Sequence, residues 1–250
     1  MTTLTRPAPP PTTVAHYPES DGQPMAENTR QFHWIVLIKE NLATLFRDRA
    51  DVFVAGDLLW YPVEGNPAIC RAPDTMVVFG RPKGERGSYR QWEEAGIAPQ
   101  VVFEIWSPSN HFHDKLDRLH FYTQYGVQEY YAYDPEPAYN DLSGFQRVGD
   151  ALLPITEMHG WTSPLLGIRF VHTPTTLELY RPDGRPFLSH QELEQQREEE
   201  HAARLAAEQQ REQEHAARLA AEQQREEAEQ RAARLAAKLR ELGIDPDTIS

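Results

Sequence analysis

Three segments in close succession decide the fold: RAPDTMVVFG (71–80), QVVFEIWSPSN (100–110) and DKLDRLHFYTQYGVQEYYAYD (114–134). The apolar runs MVVF (76–79), VVFEIW (101–106) and EYYAYD (129–134) have the length and β-branched or aromatic content of buried strands. Pro73 stands at the mouth of the first, where a strand needs no ladder donor. Five apolar residues surround Glu104, so the strand is expected to be central and the carboxylate to have a partner. SPSN (107–110) supplies turn and cap chemistry for a helix that Gly126 stops. Spacing turns Phe112, Leu116, Leu119 and Tyr122 inward. It also sets Asp114 and Arg118 at i, i+4, the separation of a surface ion pair. Alternatively Lys115 and Arg118, at i, i+3, point a cation at a site beside Glu104.

Working outward, Phe32, Ile35, Ile38, Leu42, Leu45 and Phe46 recur at helical spacing within Phe32–Arg49. DVFVAGDLLWYPVEGNP (51–67) reads as two short strand pieces around Gly56. Asp57 sits there among apolar neighbours, as a turn cap, a paired carboxylate or a metal ligand. The order helix, strand, strand, strand, helix, strand gives an α/β domain with a mixed central sheet flanked by helices. Short β segments over 142–188 extend or cover that sheet. RPKGERGSYRQWEEAGIAP (81–99) interleaves Lys83, Arg86 and Arg90 with Tyr89 and Trp92. It is either a local basic patch for nucleic acid or a surface loop that packs its Trp on the core.

The flanks differ in character. Residues 1–29, rich in Pro and polar residues, are expected to be disordered, the folded domain to span 30–188, and the last residues, 243–250, to be a tail. Between them, over 189–242, EQQREEEHAARLAAEQQ (194–210) recurs as EQQREQEHAARLAAEQQ (208–224), which places Leu205 and Leu219 two heptads apart. A long helix follows, forming a weak coiled coil through which the chain could self-associate, or standing as a solvated helix.

The formal charge is −13. Residues 192–241 hold 13 acidic and 9 basic residues, leaving 25 acidic against 16 basic elsewhere, so the domain itself is acidic. That excludes strong, indiscriminate nucleic-acid binding, since phosphate binding runs on Lys and Arg. The single Cys70 excludes an internal disulfide. No apolar run approaches the ~20 residues of a membrane span, and no signal peptide is evident. A cytoplasmic protein without a membrane partner is expected.

His111 and His113 diverge on a helix and do not make a metal pair. Asp74 and Glu104, on neighbouring strands, can instead share a hard divalent cation such as magnesium, with a nearby cation stabilising charge on a phosphate. GDLLWYP (56–62), RAPDTMVVFGRPKG (71–84), APQVVFEIWSPSN (98–110) and FYTQYGVQEYYAYDPE (121–136) together resemble the Uma-two family of the PD-(D/E)XK restriction-endonuclease-like superfamily. The resemblance covers roughly 30–180. It implies a restriction-endonuclease-like fold, a magnesium (or manganese) cofactor and DNA cleavage, with Asp74 and Glu104 as the signature carboxylates; Asp57, from its own apolar surroundings, is the further candidate metal ligand. The superfamily pattern places lysine two residues after the glutamate, where this chain has Trp106. Arg118 stands where the family carries a lysine in the next helix, with Lys115 close by. Arginine keeps the charge but makes a poor base. The two functional expectations are a metal-dependent DNA endonuclease and a weakened nuclease fold that binds or scaffolds through its C-terminal helix.

Overall fold

The computed structural model describes residues 16–241. In chain order its elements are α1 (Thr29–Leu45), β1 (Val52–Ala55), β2 (Trp60–Tyr61), β3 (Thr75–Phe79), β4 (Tyr89–Arg90), β5 (Val101–Ile105), α2 (Phe112–Gln124), β6 (Glu129–Asp134), β7 (Asp141–Val148), β8 (Ala151–Pro154), β9 (Arg169–His172), β10 (Leu177–Tyr180) and α3 (His190–Glu241). Six strands form a mixed sheet in the order β1-β3-β5-β6-β7-β8. Within this sheet only β5 and β6 pair in parallel, and α2 is the crossover between them. The β9–β10 hairpin and the parallel β2–β4 pair are separate two-stranded ribbons.

Period-2 alternation sorts the sheet residues into two cores. Val77, Val101, Phe103, Ile105, Tyr131 and Tyr133 pack with α1 and with Phe170, Leu177 and Leu179 of the hairpin. Met76, Val78, Val102, Tyr130 and Ala132 face the other way, against Phe121 and Tyr122 of α2 and against Trp60 and Tyr89. Both faces of β5 are therefore covered, as a parallel pair requires. Glu104 shares the α2 face with Val102.

The helix ends follow their caps. The Asn28 side chain accepts from the Gln31 N–H at 2.8 Å and starts α1. Asp114 accepts from the His111 N–H at 2.8 Å and starts α2, and Gly126 (φ 95°) follows its last turn.

Several expectations are corrected. Phe32 and Phe112 are 50% and 74% exposed and Leu116 is exposed too, so none of them is inward. In α1 the buried place goes to Gln31, whose amide donates to the Ile105 carbonyl at 2.8 Å. Asp114 is spent on the cap, and Arg118 pairs elsewhere, so the surface pair Asp114–Arg118 does not form. Residues 16–28 are ordered coil against the domain. The Tyr17 ring packs on Tyr61 and Trp92, with centroids 5.1 and 4.9 Å away, and the Pro18 carbonyl accepts from the Tyr61 hydroxyl at 2.8 Å. Two aromatic contacts and a few hydrogen bonds hold a segment whose composition alone would leave it loose. The proline run of 7–13 and the tail of 243–250 lie outside the described residues.

Separately, α3 is a 52-residue helix in the second of the chain's two units, which divide between Ser189 and His190. Leu205, Leu219 and Leu235 are exposed on it. Among the described residues no helix is long and apolar enough to cross a membrane.

Candidate active site

The site is assembled near α2 where β1 and β5 end and the antiparallel β3 begins. At Gly56 an added Cβ would lie 3.2 Å from the Asp74 carbonyl oxygen and 3.3 Å from Lys39 Cγ, so a side chain there would require its neighbours to give by a few tenths of an ångström. The next residue, Asp57, takes a left-handed φ of 49° and donates its N–H to the Pro73 carbonyl at 3.0 Å. This turn sets Asp57 beside the entry to β3, where Asp74 stands. One ångström-scale clamp fixes Asp74 in turn: its Oδ2 accepts the Ile105 N–H at 2.6 Å.

Glu104 is 1% exposed. Its Oε1 accepts from the Arg118 guanidinium at 2.6 Å and from the Tyr122 hydroxyl. Arg118 and Tyr122 are four apart on α2 and therefore share the helix face turned to β5. Asp57, Asp74, Glu104 and Arg118 all line one cavity of about 400 Å³. Asp21 and Glu27 of the preceding coil close one wall. Glu27 is held by the hydroxyls of Ser107 and Ser109, which lower its pKa.

Charge in this cavity is unbalanced. Burial, reinforced by the Glu104 carboxylate, pushes the Asp74 carboxyl well above the ordinary range, despite the Ile105 N–H and Arg118. Burial also raises Asp57, helped by Asp21 and Glu104. The negative charge of Glu104 raises Arg118, so that guanidinium stays charged. Five carboxyl groups, of Asp21, Glu27, Asp57, Asp74 and Glu104, thus line one cavity with two guanidiniums, of Arg71 and Arg118. The Tyr130 hydroxyl is buried without a hydrogen-bond partner, and burial followed by the Glu104 charge keeps its proton on.

Lys115 is not part of this lining. Its Nζ lies 3.8 Å from Asp134 Oδ2 and 5.3 Å from the centre of the Trp106 ring. The Arg118 guanidinium carbon lies 5.7 Å from the same ring. Trp106, two residues after Glu104 and on the same side of the strand, thus gathers both Lys115 and Arg118 of α2. The basic stretch of 81–99 is committed internally: Arg81 and Arg86 both bind Glu94 at 2.6 Å, Arg90 pairs with Glu93, and Lys83 donates to the carbonyls of Phe46 and Arg47. Glu93 and Glu94, from the same stretch, neutralise it, and Tyr89 is buried.

Sequence reasoning missed Tyr122 as a Glu104 partner, although its i+4 spacing from Arg118 was a usable signal. It also missed Arg71 as a cavity residue, for which neither periodicity nor spacing gives a sign.

Fold and site together define an α/β domain in which a buried strand glutamate and the aspartate at the mouth of the neighbouring strand share a cavity beside a crossover helix. A family model, Uma2, described as "Putative restriction endonuclease", matches residues 11–170, well over half of the chain. The chain belongs to that family. A crystal structure of a "putative nuclease belonging to DUF820" from Anabaena variabilis is similar at 13% identity and a TM-score of 0.38, covering 53% of this chain and 70% of that one. A search of curated proteins returns no match.

Proposed function

We propose that this protein is a divalent-metal-dependent endonuclease that hydrolyses DNA phosphodiester bonds in the Asp74–Glu104 cavity. The observation that carries the reading is the placement of Asp74, at the entry to β3, and the buried Glu104 of the paired strand β5 at the same cavity, where the Glu104 charge adds to the cost of ionising Asp74. A divalent cation offsets that cost. The donor set is all hard oxygen, which suits magnesium and, second, manganese. No cluster of three His, Cys, Asp or Glu groups that could hold a metal forms among the described residues. The fit is therefore to a magnesium ion held by one or two carboxylates, Asp74 and Glu104 with Asp57 beside them, and otherwise by water and substrate phosphate. When bound, such an ion supplies Lewis acidity and lowers the pKa of water.

The remaining roles belong to the chain. Asp74 is aimed by the Ile105 N–H, and Glu104 by Arg118 and Tyr122. Arg118 keeps a permanent positive charge beside the cavity and does not serve as a base. Lys115 is the one lysine of α2 and, in this arrangement, rests on Asp134 and Trp106. A cytoplasmic location is part of the proposal, supported by the unpaired Cys70. The test is conversion of supercoiled plasmid DNA by the purified protein in magnesium. Wild type should cleave, EDTA should stop it, and Asp74→Asn should be inactive while folded; equal cleavage by both proteins would remove the assignment.

The exposed leucines of α3 favour an added role for that helix as a self-association element. Light scattering should find an oligomer that becomes monomeric when the chain is cut after Ser189, and a full-length monomer at micromolar concentration would refute this.

A further inference from the structure

The cavity has a second arginine that the proposed chemistry does not use. Arg71 lines the Asp74–Glu104 cavity, and it also lines a second, more open cavity of about 330 Å³ beside α2. Ile69, His120, Phe121 and Tyr125 share that second lining. Cys70 and Arg71 thus form a wall common to both cavities.

Arg71 is held in place from two sides. Its main chain exchanges hydrogen bonds with Trp60, the Trp60 N–H to the Arg71 carbonyl at 2.8 Å and the reverse at 3.2 Å. Its guanidinium lies 5.3 Å from the centre of the Phe121 ring, a cation–π contact that orients the plane. One of its five donor hydrogens goes to the Cys70 carbonyl, Nη1 to oxygen at 2.9 Å. No carboxylate pairs with Arg71 among the described residues, whereas Arg118 is spent on Glu104 and the arginines of 81–90 on Glu93 and Glu94. Asp117, the carboxylate at the second cavity, faces His113 at 3.5 Å.

Arg71 is thus a fixed guanidinium on the wall of two cavities, without the close carboxylate partner that the other nearby arginines have, and its free donors suit a phosphate. We infer that Arg71 binds the DNA phosphate next to the cleaved one, and that the cavity beside α2, walled by His120 and Tyr125, carries the adjoining nucleotide. This rests on the reading of the first cavity as a DNA-cleaving centre. Arg71 is a binding residue; it takes no part in proton transfer.

The experiment is fluorescence anisotropy with a fluorescein-labelled DNA duplex in calcium, repeated over a range of salt. The proteins are wild type, Arg71→Gln, Arg71→Lys and, as a control, Arg185→Gln, whose arginine pairs with Asp183 at the surface. Plasmid cleavage in magnesium is followed on the same preparations, and melting curves confirm folding. Arg71→Gln should weaken binding roughly tenfold and lower the slope of log K against log salt by about 0.9, the signature of one lost phosphate contact. Arg71→Lys should keep the slope, because it keeps the charge, and Arg185→Gln should change neither quantity. Wild-type affinity and slope in Arg71→Gln, with cleavage by wild type, would overturn this inference alone. An Arg71-dependent slope without cleavage by wild type would leave the phosphate site standing and remove the nuclease reading. No duplex binding by wild type would overturn the inference outright.

Discussion

Glu104 and Glu129 are two glutamates on neighbouring parallel strands, each 1% exposed, and they have opposite surroundings. Glu129 points to the α1 face, where the Tyr131 hydroxyl at 3.0 Å, the Ser163 hydroxyl and the Leu165 N–H at 3.0 Å all donate to it. Its neighbours are neutral donors of its own core, and it lines neither of the two cavities described above. Glu104 points to the α2 face, where a cation and a phenol donate to one oxygen, a second carboxylate lies close by, and a cavity opens. Burial of a carboxylate is therefore not in itself a sign of chemistry. A closed ring of neutral donors marks a structural glutamate, whereas crowding with like charge at a cavity marks one kept at a cost to stability.

The largest expected contrast is in activity. Glu104→Gln retains an acceptor for Arg118 and Tyr122, so it should fold, yet lose at least about a thousandfold in DNA cleavage, ~4 kcal/mol of transition-state stabilisation. Glu129→Ala should reverse the pattern. By leaving three buried donors unpaired it should cost about 3 kcal/mol in urea denaturation, while the folded protein cleaves like wild type. Tyr122→Phe removes one charge-assisted hydrogen bond from Glu104 and should cost about 2 kcal/mol.

The smallest effect has the opposite sign. The folded Asp74 carboxyl titrates above its ordinary value, so the native state keeps a proton that the unfolded chain has released. Its contribution is complete at pH values below about 4 and is lost as pH rises from there through the elevated folded value. Asparagine does not titrate and can still accept the Ile105 N–H. Asp74→Asn should therefore be more stable than wild type at pH 7, by on the order of 1 kcal/mol, with an advantage that shrinks toward pH 4. Paired urea melts across that range check the sign, and a constant difference would show that Asp74 is not strained.

Much of this was legible beforehand. The runs at 76–79, 101–106 and 129–134 became β3, β5 and β6, because buried strands announce themselves by apolar content and length. Glu104 was marked by that same content, as a charge that required a partner. The partner's identity was only half legible. Spacing along α2 offers Asp114 to Arg118, but Asp114 is needed by the helix start, and the stronger, buried demand of Glu104 takes the guanidinium across the sheet. Glu129 shows the converse: it begins a strand that reads as ordinary, and its donors Ser163 and Leu165 lie more than 30 residues away in a loop. Arg71 and the coil of 16–28 were unreadable for a similar reason. Their roles depend on which cavity wall they form, and contacts between distant segments leave no period in the sequence.

Calorimetric titration of manganese into wild type, Asp74→Asn and Glu104→Gln tests the central claim most directly, because it asks whether the crowded carboxylates hold a cation. The account predicts saturable heat in wild type that is abolished or strongly weakened in both variants and retained in Glu129→Gln. Equal binding by all four proteins, or no binding by wild type, would contradict it.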